Sequence, residues 1–361
     1  MKRFEYSYTI EANRAQLSLI NEETLLFDIE TSGLSAKNSS IYCIGYAFYW
    51  EGELKLTQLF AEAPEEEKQL LLAFLEVLPG FHQLLSYNGR TFDVRYLQEK
   101  CRLYALDPAV LDMPHLDLYR LYTPYKKLLG TKDMKQKSLE QLLDTDRKDL
   151  YSGGELIQIY QEYVRHPEEE KEAILLLHNR EDVYGLFLLT KLHALIALFS
   201  GSYQLTQFEP EEGDRPLLAL YLSLNEELPL SLSYYADGIF LYARKKSAVV
   251  KIPFFQGKAR YYYDNYKDYY YFPEEDMAIH KMVAKFAAST HREKASAKTA
   301  YTWQEGSFLP FYDAVREETD APKLFYKDQS KKEPYILYDD SSFVNFTMDY
   351  CKSILNHILA C

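Results

Sequence analysis

The sequence predicts an α/β protein, with a mixed sheet flanked by helices in residues 1–200 and a smaller α+β domain over 215–361. Three observations support this fold class. Strand-like segments alternate with segments of helical spacing as far as residue 200. The stretch 200–216 combines Gly, Pro, Ser and acidic residues, which is typical of a domain boundary. Beyond it, short Tyr-rich segments predict a meander of strands followed by helices.

The elements are predicted in order from periodicity and from helix start signals. In the first domain the predicted strands are 24–29, 41–50, 54–60 and 82–86. The predicted helices there are 64–78, 91–103 and 167–199, each opened by a proline, a capping threonine or a run of glutamates. In the second domain the predicted strands are 218–224, 230–235, 239–244, 248–253 and 260–263, and the predicted helices are 274–289 and 340–361.

Composition restricts the class of protein. The chain has 361 residues and a net charge of −13, which argues against non-specific coating of nucleic acid but allows a local grip on a strand end. The four cysteines are widely spaced and form no zinc pattern, so we expect a reducing, cytoplasmic setting. We find no long uncharged apolar run and no signal peptide, and therefore expect no membrane partner.

Two carboxylates lie at the end of the first predicted strand of the sheet. Asp28 and Glu30 come directly after the apolar run 25–27. Residues two apart on a strand point the same way, so these side chains are expected to lie side by side and to repel each other. Either the strand ends in water at this point, or a cation neutralises the pair.

Two further acids stand at the starts or on the faces of predicted helices. Asp93 lies in a first helical turn, where an acid commonly serves the helix dipole. Asp182 lies in the middle of a helix with His178 one turn before it, a pair that in isolation could simply be solvated. Together with Asp28 and Glu30 these acids suit hard divalent ions such as Mg²⁺ or Mn²⁺, and four carboxylates can hold two of them. Two such ions can stabilise both oxygens of a phosphodiester displacement.

Three motifs carry a family resemblance. "FDIETSGL" at 27–34, "YNGRTFD" at 87–93 and "HNREDV" at 178–183 resemble, in order, the motifs of the DnaQ-like (DEDD) 3′–5′ exonucleases. Residues 20–200 resemble the YprB-type ribonuclease-H-like domain, also through "HLDLYR" at 115–120 and the segment 146–163. The resemblance implies a five-stranded mixed sheet. It also implies a metal-dependent phosphodiesterase, of the EC 3.1 class, that trims single-stranded RNA or DNA from the 3′ end.

The resemblance also implies roles for the acids. Asp28 would bridge two metal ions, Glu30 and Asp182 would help to hold the ion that activates water, and Asp93 would act through water or the second ion. The general base of the superfamily is a Tyr four residues before the last Asp or a His five before it, whereas His178 lies four before Asp182. Three interpretations stay open: His178 is the base, the site binds metal with weak catalysis, or His178 is structural. Two alternative functions stay open: a catalytically weak or inactive nucleic-acid or protein binding module, and an endonuclease or structure-specific nuclease.

Further residues are predicted to contact the substrate. The stretch 125–137 holds five lysines and one aspartate, and is either a phosphate-binding segment or a solvated loop. Asp117 is either a spare ligand or a structural acid at a strand end. The predicted substrate-binding residues are Tyr87, Asn88, Arg90, Lys126, Lys127 and Lys132.

The second domain has no chemistry that the sequence assigns. Its most distinctive segment, 260–289, is rich in tyrosine. Three interpretations stay open for the basic residues that lie in and after it: they guide a single strand, they dock a protein partner, or they are the solvated side of a half-buried sheet. His280 is expected to be structural. These basic residues are Lys281, Lys285, Arg292, Lys294 and Lys298.

Overall fold

A computed structural model describes residues 1–286, 291–312, 322–330, 332–339, 343 and 347–361. These residues form two compact units. The first unit comprises Met1–Leu198 with Glu226–Ser231, and the second comprises Phe199–Asn225 with Leu232–Cys361.

The first unit is built on a mixed sheet. Its strands are β1 (Lys2–Thr9), β2 (Thr24–Thr31), β3 (Ile41–Trp50), β4 (Glu53–Phe60), β5 (Gln83–Ser86) and β6 (His115–Asp117). The sheet has six strands in the order β1-β4-β3-β2-β5-β6. Strands β5 and β6 run parallel to β2, and the others pair antiparallel.

The expected strand count of five was one too low. Strands β2 to β6 correspond to the five expected from the resemblance, and β1 adds a sixth at the edge, antiparallel to β4. Strand β1 alternates half-buried Phe4, Tyr6 and Tyr8 with exposed polar residues. This period-two pattern is typical of an edge strand with one covered face.

Helices cover both faces of the sheet. They are α1 (Arg14–Leu19), α2 (Glu67–Leu75), α3 (Asp93–Leu103), α4 (Leu118–Tyr122), α5 (Lys126–Leu129), α6 (Gln136–Leu142), α7 (Gly153–Arg165), α8 (Glu169–Leu189) and α9 (His193–Phe199). A core with Phe27 and Phe74 lies beneath α2 and α3, and another with Tyr42, Phe60 and Tyr160 lies beneath α7 and α8. The helix predicted over 167–199 is therefore two helices, separated by a 3₁₀ turn at Thr190–Leu192.

The stretch Glu169–Phe199 is long and apolar enough, by length and composition alone, to cross a membrane. Of its most apolar 18-residue window, 61% is buried inside the protein. Helix α8 packs against β2, β3 and β4 and carries His178 and Asp182. Burial against the sheet explains its apolar composition, as for the core helix of a globular domain.

The second unit is rich in β structure. A five-stranded sheet contains β7 (Tyr203–Glu211), β8 (Leu217–Leu224), β9 (Leu232–Ala236), β10 (Ile239–Arg244) and β11 (Ser247–Pro253) in the order β7-β8-β11-β10-β9. The remaining strands are β12 (Phe255–Tyr262), β13 (Tyr269–Phe272), β14 (Met277–His280), β15 (Glu293–Lys294), β16 (Tyr301–Pro310), β17 (Leu324–Tyr326) and β18 (Pro334–Leu337). Strands β12, β16, β18 and β17 close a small barrel. The described helices are α10 (Lys281–Ala284) and α11 (Thr347–Ala360).

Two expectations for this half need correction. The stretch 200–216, interpreted as the domain boundary, contains strand β7. Pro210 fits there because β7 is an edge strand, where a missing N–H need not interrupt a ladder. The helix predicted over 274–289 is strand β14 followed by the single-turn α10; residues 287–289 lie outside the described part of the chain. Of the terminal helix predicted over 340–361, residues 347–360 are helical, and 340–342 and 344–346 are not described.

Candidate active site

Strand β2 and the start of α3 bring three carboxylates together. Asp28 and Glu30 follow one another on the same face of β2, beside Gly45 and Cys43 of β3. The backbone N–H of Ile29, between them, donates a hydrogen bond to Asp93 Oδ1 at 3.2 Å. The carboxylate of Asp93 therefore lies beside the acid pair, as the three motifs together predict.

The turn that leads into α3 is shaped by close packing. Asn88 has a left-handed φ of 60°. A Cβ on Gly89 would lie 2.2 Å from Ser86 Oγ and 3.2 Å from Asp93 Oδ2, so only glycine fits. Asp117 accepts hydrogen bonds from the N–H groups of Asn88 at 2.8 Å and Tyr119 at 3.1 Å. These bonds fit the structural interpretation of Asp117.

Helix α8 supplies the fourth acid and the histidine. His178 Nε2 lies 3.1 Å from Asp182 Oδ2 and 3.5 Å from Glu30 Oε1. The ligand atoms of Glu30, His178 and Asp182 all lie within 4.8 Å of one another, close enough to hold a metal ion. His178 lies four residues before Asp182, a spacing that neither branch of the superfamily has for a histidine. It still points at the acids, because residues four apart share a helix face.

The carboxylates carry more negative charge than their surroundings balance. Burial raises the pKa of Asp28 well above its ordinary value, and raises those of Glu30 to about 8 and Asp93 to about 7. The charge of Asp182 adds to all three shifts. A divalent cation would relieve this repulsion, and its preferred ligands are these oxygens. The donor set thus fits Mg²⁺ or Mn²⁺.

Asp182 and His178 behave differently from the other acids. Burial alone would raise the pKa of Asp182, but hydrogen bonds from His178 and Arg147 lower it. Burial would likewise lower the pKa of His178, but its hydrogen bonds with Asp149 and Asp182 raise it to about 11. Asp182 therefore already has two cationic partners, at 2.5 and 3.1 Å, whereas the cationic partner of Glu30, His178, lies 3.5 Å away.

Sequence reasoning did not identify several residues that contact this cluster. Asp149 Oδ2 lies 2.7 Å from His178 Nδ1 and 2.7 Å from Lys137 Nζ. Arg147 Nη2 lies 2.5 Å from Asp182 Oδ1 and 3.2 Å from Asp149 Oδ2. Arg147 and Asp149 belong to the segment 146–163 that carried part of the family resemblance, and this was the one available signal.

An amide of α8 ties the helix to β2. Asn179 Nδ2 donates to Asp28 Oδ2 at 3.1 Å, and Asn179 Oδ1 accepts from Gln58 Nε2 at 2.9 Å. A Cβ on Gly45 would lie 2.2 Å from Asn179 Oδ1, so glycine at this position lets the helix approach β3. Asn179 follows His178 directly in the third motif, but its role depends on contacts that spacing does not reveal.

None of the six predicted substrate-binding residues lines the cleft that opens onto His178 and Asp182. The Tyr87 hydroxyl donates to the Met134 carbonyl, and Arg90 Nη2 donates to the His115 carbonyl at 2.7 Å. Exposed side chains belong to Asn88, Lys126, Lys127 and Lys132. The cleft has a volume of about 480 Å³ and is lined also by Lys135, Lys137 and Tyr151. Substrate contact by any of these residues stays a prediction.

Two of the five basic residues singled out in the second unit contact the ring of Tyr270. Lys281 Nζ is 5.8 Å and the Arg292 guanidinium 4.6 Å from the centre of the Tyr270 ring. Such cation–π contacts occur in structural and in nucleic-acid-binding surfaces alike. The three interpretations of this segment therefore all remain open.

Comparisons with known proteins show what the larger part of the first unit is similar to. Residues 25–194 match the RNase_H_2 family, part of the RNase_H superfamily. No curated protein matches the chain. Among solved structures, the family B DNA polymerase of Pyrobaculum calidifontis is 13% identical, with a TM-score of 0.40, over 68% of this chain and 35% of its own.

Escherichia coli exonuclease I is also among the similar structures. Its zinc-bound complex with single-stranded DNA is 13% identical, with a TM-score of 0.28, over 55% of this chain and 54% of its own. Its complex with a 5cy-dA13 oligonucleotide is 10% identical, with a TM-score of 0.31, over 94% and 71%. The chain thus spans 35% of the polymerase and 54% of exonuclease I in the first two comparisons. Residues 25–194, with the mixed sheet described above, form an RNase H-like domain.

Proposed function

We propose that this protein is a metal-dependent nuclease that hydrolyses phosphodiester bonds of single-stranded nucleic acid, as a 3′–5′ exonuclease. The observation that carries the proposal is the meeting of Asp28, Glu30 and Asp93 with His178 and Asp182 at one buried point. Three unneutralised carboxylates at one place cost folding free energy, so a purely structural role does not account for them. The 3′–5′ direction rests on the motif resemblance.

The proposed cofactors are two Mg²⁺ or Mn²⁺ ions. Asp28, Glu30, Asp93 and Asp182 would hold them, because hard divalent ions prefer carboxylate oxygens. When bound, such ions neutralise phosphate charge and lower the pKa of water. The raised pKa values of Glu30 and Asp93 support the fit, because burial and neighbouring carboxylates raise them and a bound cation would offset both effects.

The proposed proton acceptor is His178 Nε2. Asp149 accepts a hydrogen bond from His178 Nδ1 at 2.7 Å, which fixes the ring with Nε2 directed toward Glu30 and Asp182. An imidazole nitrogen held beside the reacting water can take its proton when the ring is neutral. Without metal ions Asp149, Asp182 and Glu30 raise the pKa of His178 to about 11, so the proposed role requires that cations held by Glu30 and Asp182 would lower this pKa. In this scheme Asp149 positions the imidazole and keeps its Nδ1 protonated.

The proposed route for the strand is the cleft that opens onto His178 and Asp182. Lys135 and Lys137 supply positive charge on its wall, and Tyr151 supplies an aromatic ring against which a base can stack. Local charge of this kind can bind a strand end although the whole chain is acidic. The exposed Lys126, Lys127 and Lys132 would extend the phosphate contacts along the strand.

A second candidate function is a binding module with weak catalysis. Arg147 Nη2 lies 2.5 Å from Asp182 Oδ1, and His178 also hydrogen-bonds this carboxylate. Both partners compete with a metal ion for Asp182. If Arg147 and His178 keep Asp182 from binding a metal ion, the domain would still bind nucleic acid or protein but would cleave slowly.

The deciding experiment is degradation of 5′-labelled single-stranded RNA and DNA in Mn²⁺. For an exonuclease we expect a ladder that shortens from the 3′ end, its loss in Asp28→Asn, and a rate about 10²–10⁴-fold lower in His178→Ala. Bound but uncleaved strands would instead support the binding module.

Two controls separate the remaining outcomes. Asp112→Asn and His82→Ala change exposed residues of the same unit and should leave the rate unchanged. A strand blocked by a 3′-terminal phosphate should resist an exonuclease that requires a free 3′ hydroxyl. Internal cuts in circular single-stranded DNA would show an endonuclease and refute the proposed 3′ direction.

A further inference from the structure

Three metal-ligand side chains meet in the second unit, apart from the carboxylate cluster. Asp237 Oδ2 lies 3.0 Å from His357 Nε2 and 3.4 Å from Cys361 Sγ. The thiol Sγ lies 3.4 Å from the same His357 nitrogen. An oxygen, a nitrogen and a sulfur atom thus form a triangle, each atom facing the other two.

The fold holds these residues in place by short-range geometry. His357 is in the last turn of α11, and the backbone N–H of Cys361 bonds to the His357 carbonyl at 3.1 Å, which extends the helical turn. Asp237 and Gly238 form the turn between β9 and β10, with left-handed φ values of 51° and 82°. Two residues of this conformation make the tight hairpin turn that Asp-Gly favours.

We propose that Asp237, His357 and Cys361 form a binding site for a zinc-class divalent ion. Ligands 2.0–2.3 Å from a tetrahedral ion lie about 3.3–3.6 Å from one another. The observed separations of 3.0, 3.4 and 3.4 Å therefore need to widen by only a few tenths of an ångström. Binding would release the thiol proton to solvent and require His357 to give up the proton on Nε2, either to solvent or by shifting to the tautomer protonated on Nδ1, so that the thiolate and Nε2 can both bond to the ion.

The donor set discriminates between metals. Thiolate and imidazole ligands suit Zn²⁺, Co²⁺ or Ni²⁺, whereas Mg²⁺ and Mn²⁺ prefer the oxygen ligands of the first unit. Three protein ligands leave a fourth position for water or another ligand, as in zinc sites that are not purely structural. The Asp237 side chain is 62% exposed, so solvent has access to that position.

Neighbouring groups restrain the histidine. The ring of Tyr312 stacks on the His357 ring with centroids 3.5 Å apart and planes 10° from parallel. This contact limits rotation of the imidazole and keeps Nε2 directed at Asp237. Asp237 and Tyr312 also line a cleft of about 550 Å³ together with Lys327, Glu333 and Tyr335, which gives a ligand of the ion room to enter.

The sequence could not reveal the site by spacing. Asp237 is separated from His357 by 120 positions, and a single His-x-x-x-Cys at the end of a helix matches no zinc motif. Only the hairpin turn and the helix end, brought together in the second unit, complete the set.

Co²⁺ titration of the reduced, untagged full-length protein tests the proposal. A thiolate ligand gives a charge-transfer absorption band that carboxylate ligands do not give. We expect this band to saturate at about one equivalent, to be displaced by Zn²⁺, and to disappear in Cys361→Ser. In His357→Ala we expect Co²⁺ binding to weaken about 100-fold or more, because even outer contacts of a metal site contribute roughly 10–100-fold.

Matched variants keep the test specific. Asp237→Asn retains a residue that tolerates the left-handed turn and removes the charged ligand, so it should weaken binding without unfolding the protein. His291→Ala changes an exposed histidine of the same unit and should bind Co²⁺ normally. The band should also persist in Asp28→Asn, whatever happens to nuclease activity. Absence of the band in wild type, or its survival in Cys361→Ser, would overturn the proposal.

Discussion

Asp149 and His178 form a buried hydrogen-bonded pair in which Asp149 Oδ2 lies 2.7 Å from Nδ1 of the imidazole. The Asp149 side chain is 1% exposed and also contacts Lys137 and Arg147. Because Nδ1 faces Asp149, Nε2 faces Glu30 and Asp182. The orientation of the proposed base therefore depends on a residue 29 positions away in a loop before α7.

Asp149→Ala should slow strand degradation by about 10²-fold or more, because His178 then loses the acceptor that orients it. Asp149→Asn keeps a carbonyl acceptor and should recover part of this loss. Single-turnover degradation of a 5′-labelled strand at saturating Mn²⁺ measures the effect. The control is Asp146→Ala, which changes an exposed residue near Asp149. This variant should degrade the strand at the wild-type rate. A folded Asp149→Ala protein with the wild-type rate would contradict the positioning role.

Arg147→Gln should bind Mn²⁺ more tightly than wild type, by about tenfold. The guanidinium is 2.5 Å from Asp182 Oδ1 and opposes a cation at the same carboxylate. The same variant should lose about 3–5 kcal/mol of unfolding free energy, because Glu140 and Asp149 also lose a buried partner. Isothermal titration calorimetry with Mn²⁺ measures the affinity, and Arg95→Gln on the exposed side of α3 is the control. Equal or weaker binding in folded Arg147→Gln would refute the competition.

Local periodicity explains which parts of the site could be predicted. Asp28 and Glu30 share a strand face, and His178 and Asp182 share a helix face, so sequence spacing alone places each pair. The Asp149–His178 contact has no such period. It depends on the loop before α7, where the N–H of Asp149 donates to Glu181 Oε2 of α8 at 2.8 Å. Contacts made between a loop and a helix far along the chain leave no periodic signal.

The helix predicted over 274–289 was wrong for a related reason. Its apolar spacing suggested a buried helical face, but Met282, Val283 and Phe286 are 70%, 63% and 85% exposed. The preceding residues instead pair with β13, where Tyr270 lies opposite Ile279. Pairing with a neighbouring strand overrode the helical pattern, since spacing records periodicity and not which surface becomes buried.

Glu30→Gln should stabilise the metal-free protein at neutral and alkaline pH while abolishing cleavage. Burial raises the pKa of Glu30 from 4.5 to about 8, so between these values the folded state binds more protons than the unfolded state. Wild-type stability must then fall as pH rises through this window. The raised pKa of His178 acts in the same direction from 6.5 to about 11.

Removing the Glu30 charge should make the free energy of unfolding fall less steeply with pH. At pH 8 we expect Glu30→Gln to be about 1–3 kcal/mol more stable than wild type, since one pKa unit corresponds to about 1.4 kcal/mol. Urea unfolding of both proteins in EDTA from pH 5 to 9 measures the difference. Mn²⁺ should narrow it by stabilising the wild type more. If the free energy of unfolding had the same pH dependence in the two proteins, the titration of Glu30 would not contribute to the decline.

Gly45→Ala should impair both stability and cleavage, because it separates α8 from the sheet at the active site. The new Cβ would lie 2.2 Å from Asn179 Oδ1 and 2.7 Å from Val183 Cγ2. Asn179 is fully buried and bonded to Gln58 and Asp28, so it cannot turn away without breaking those bonds. Overpacking of this kind costs about 1–3 kcal/mol, and a shift of α8 moves His178 and Asp182 away from β2.

Thermal unfolding and strand degradation measure the two effects. Gly154→Ala, where a Cβ meets no atom within 4 Å, should change neither by much. Normal cleavage in Gly45→Ala would mean that the α8–β3 approach does not set the site geometry.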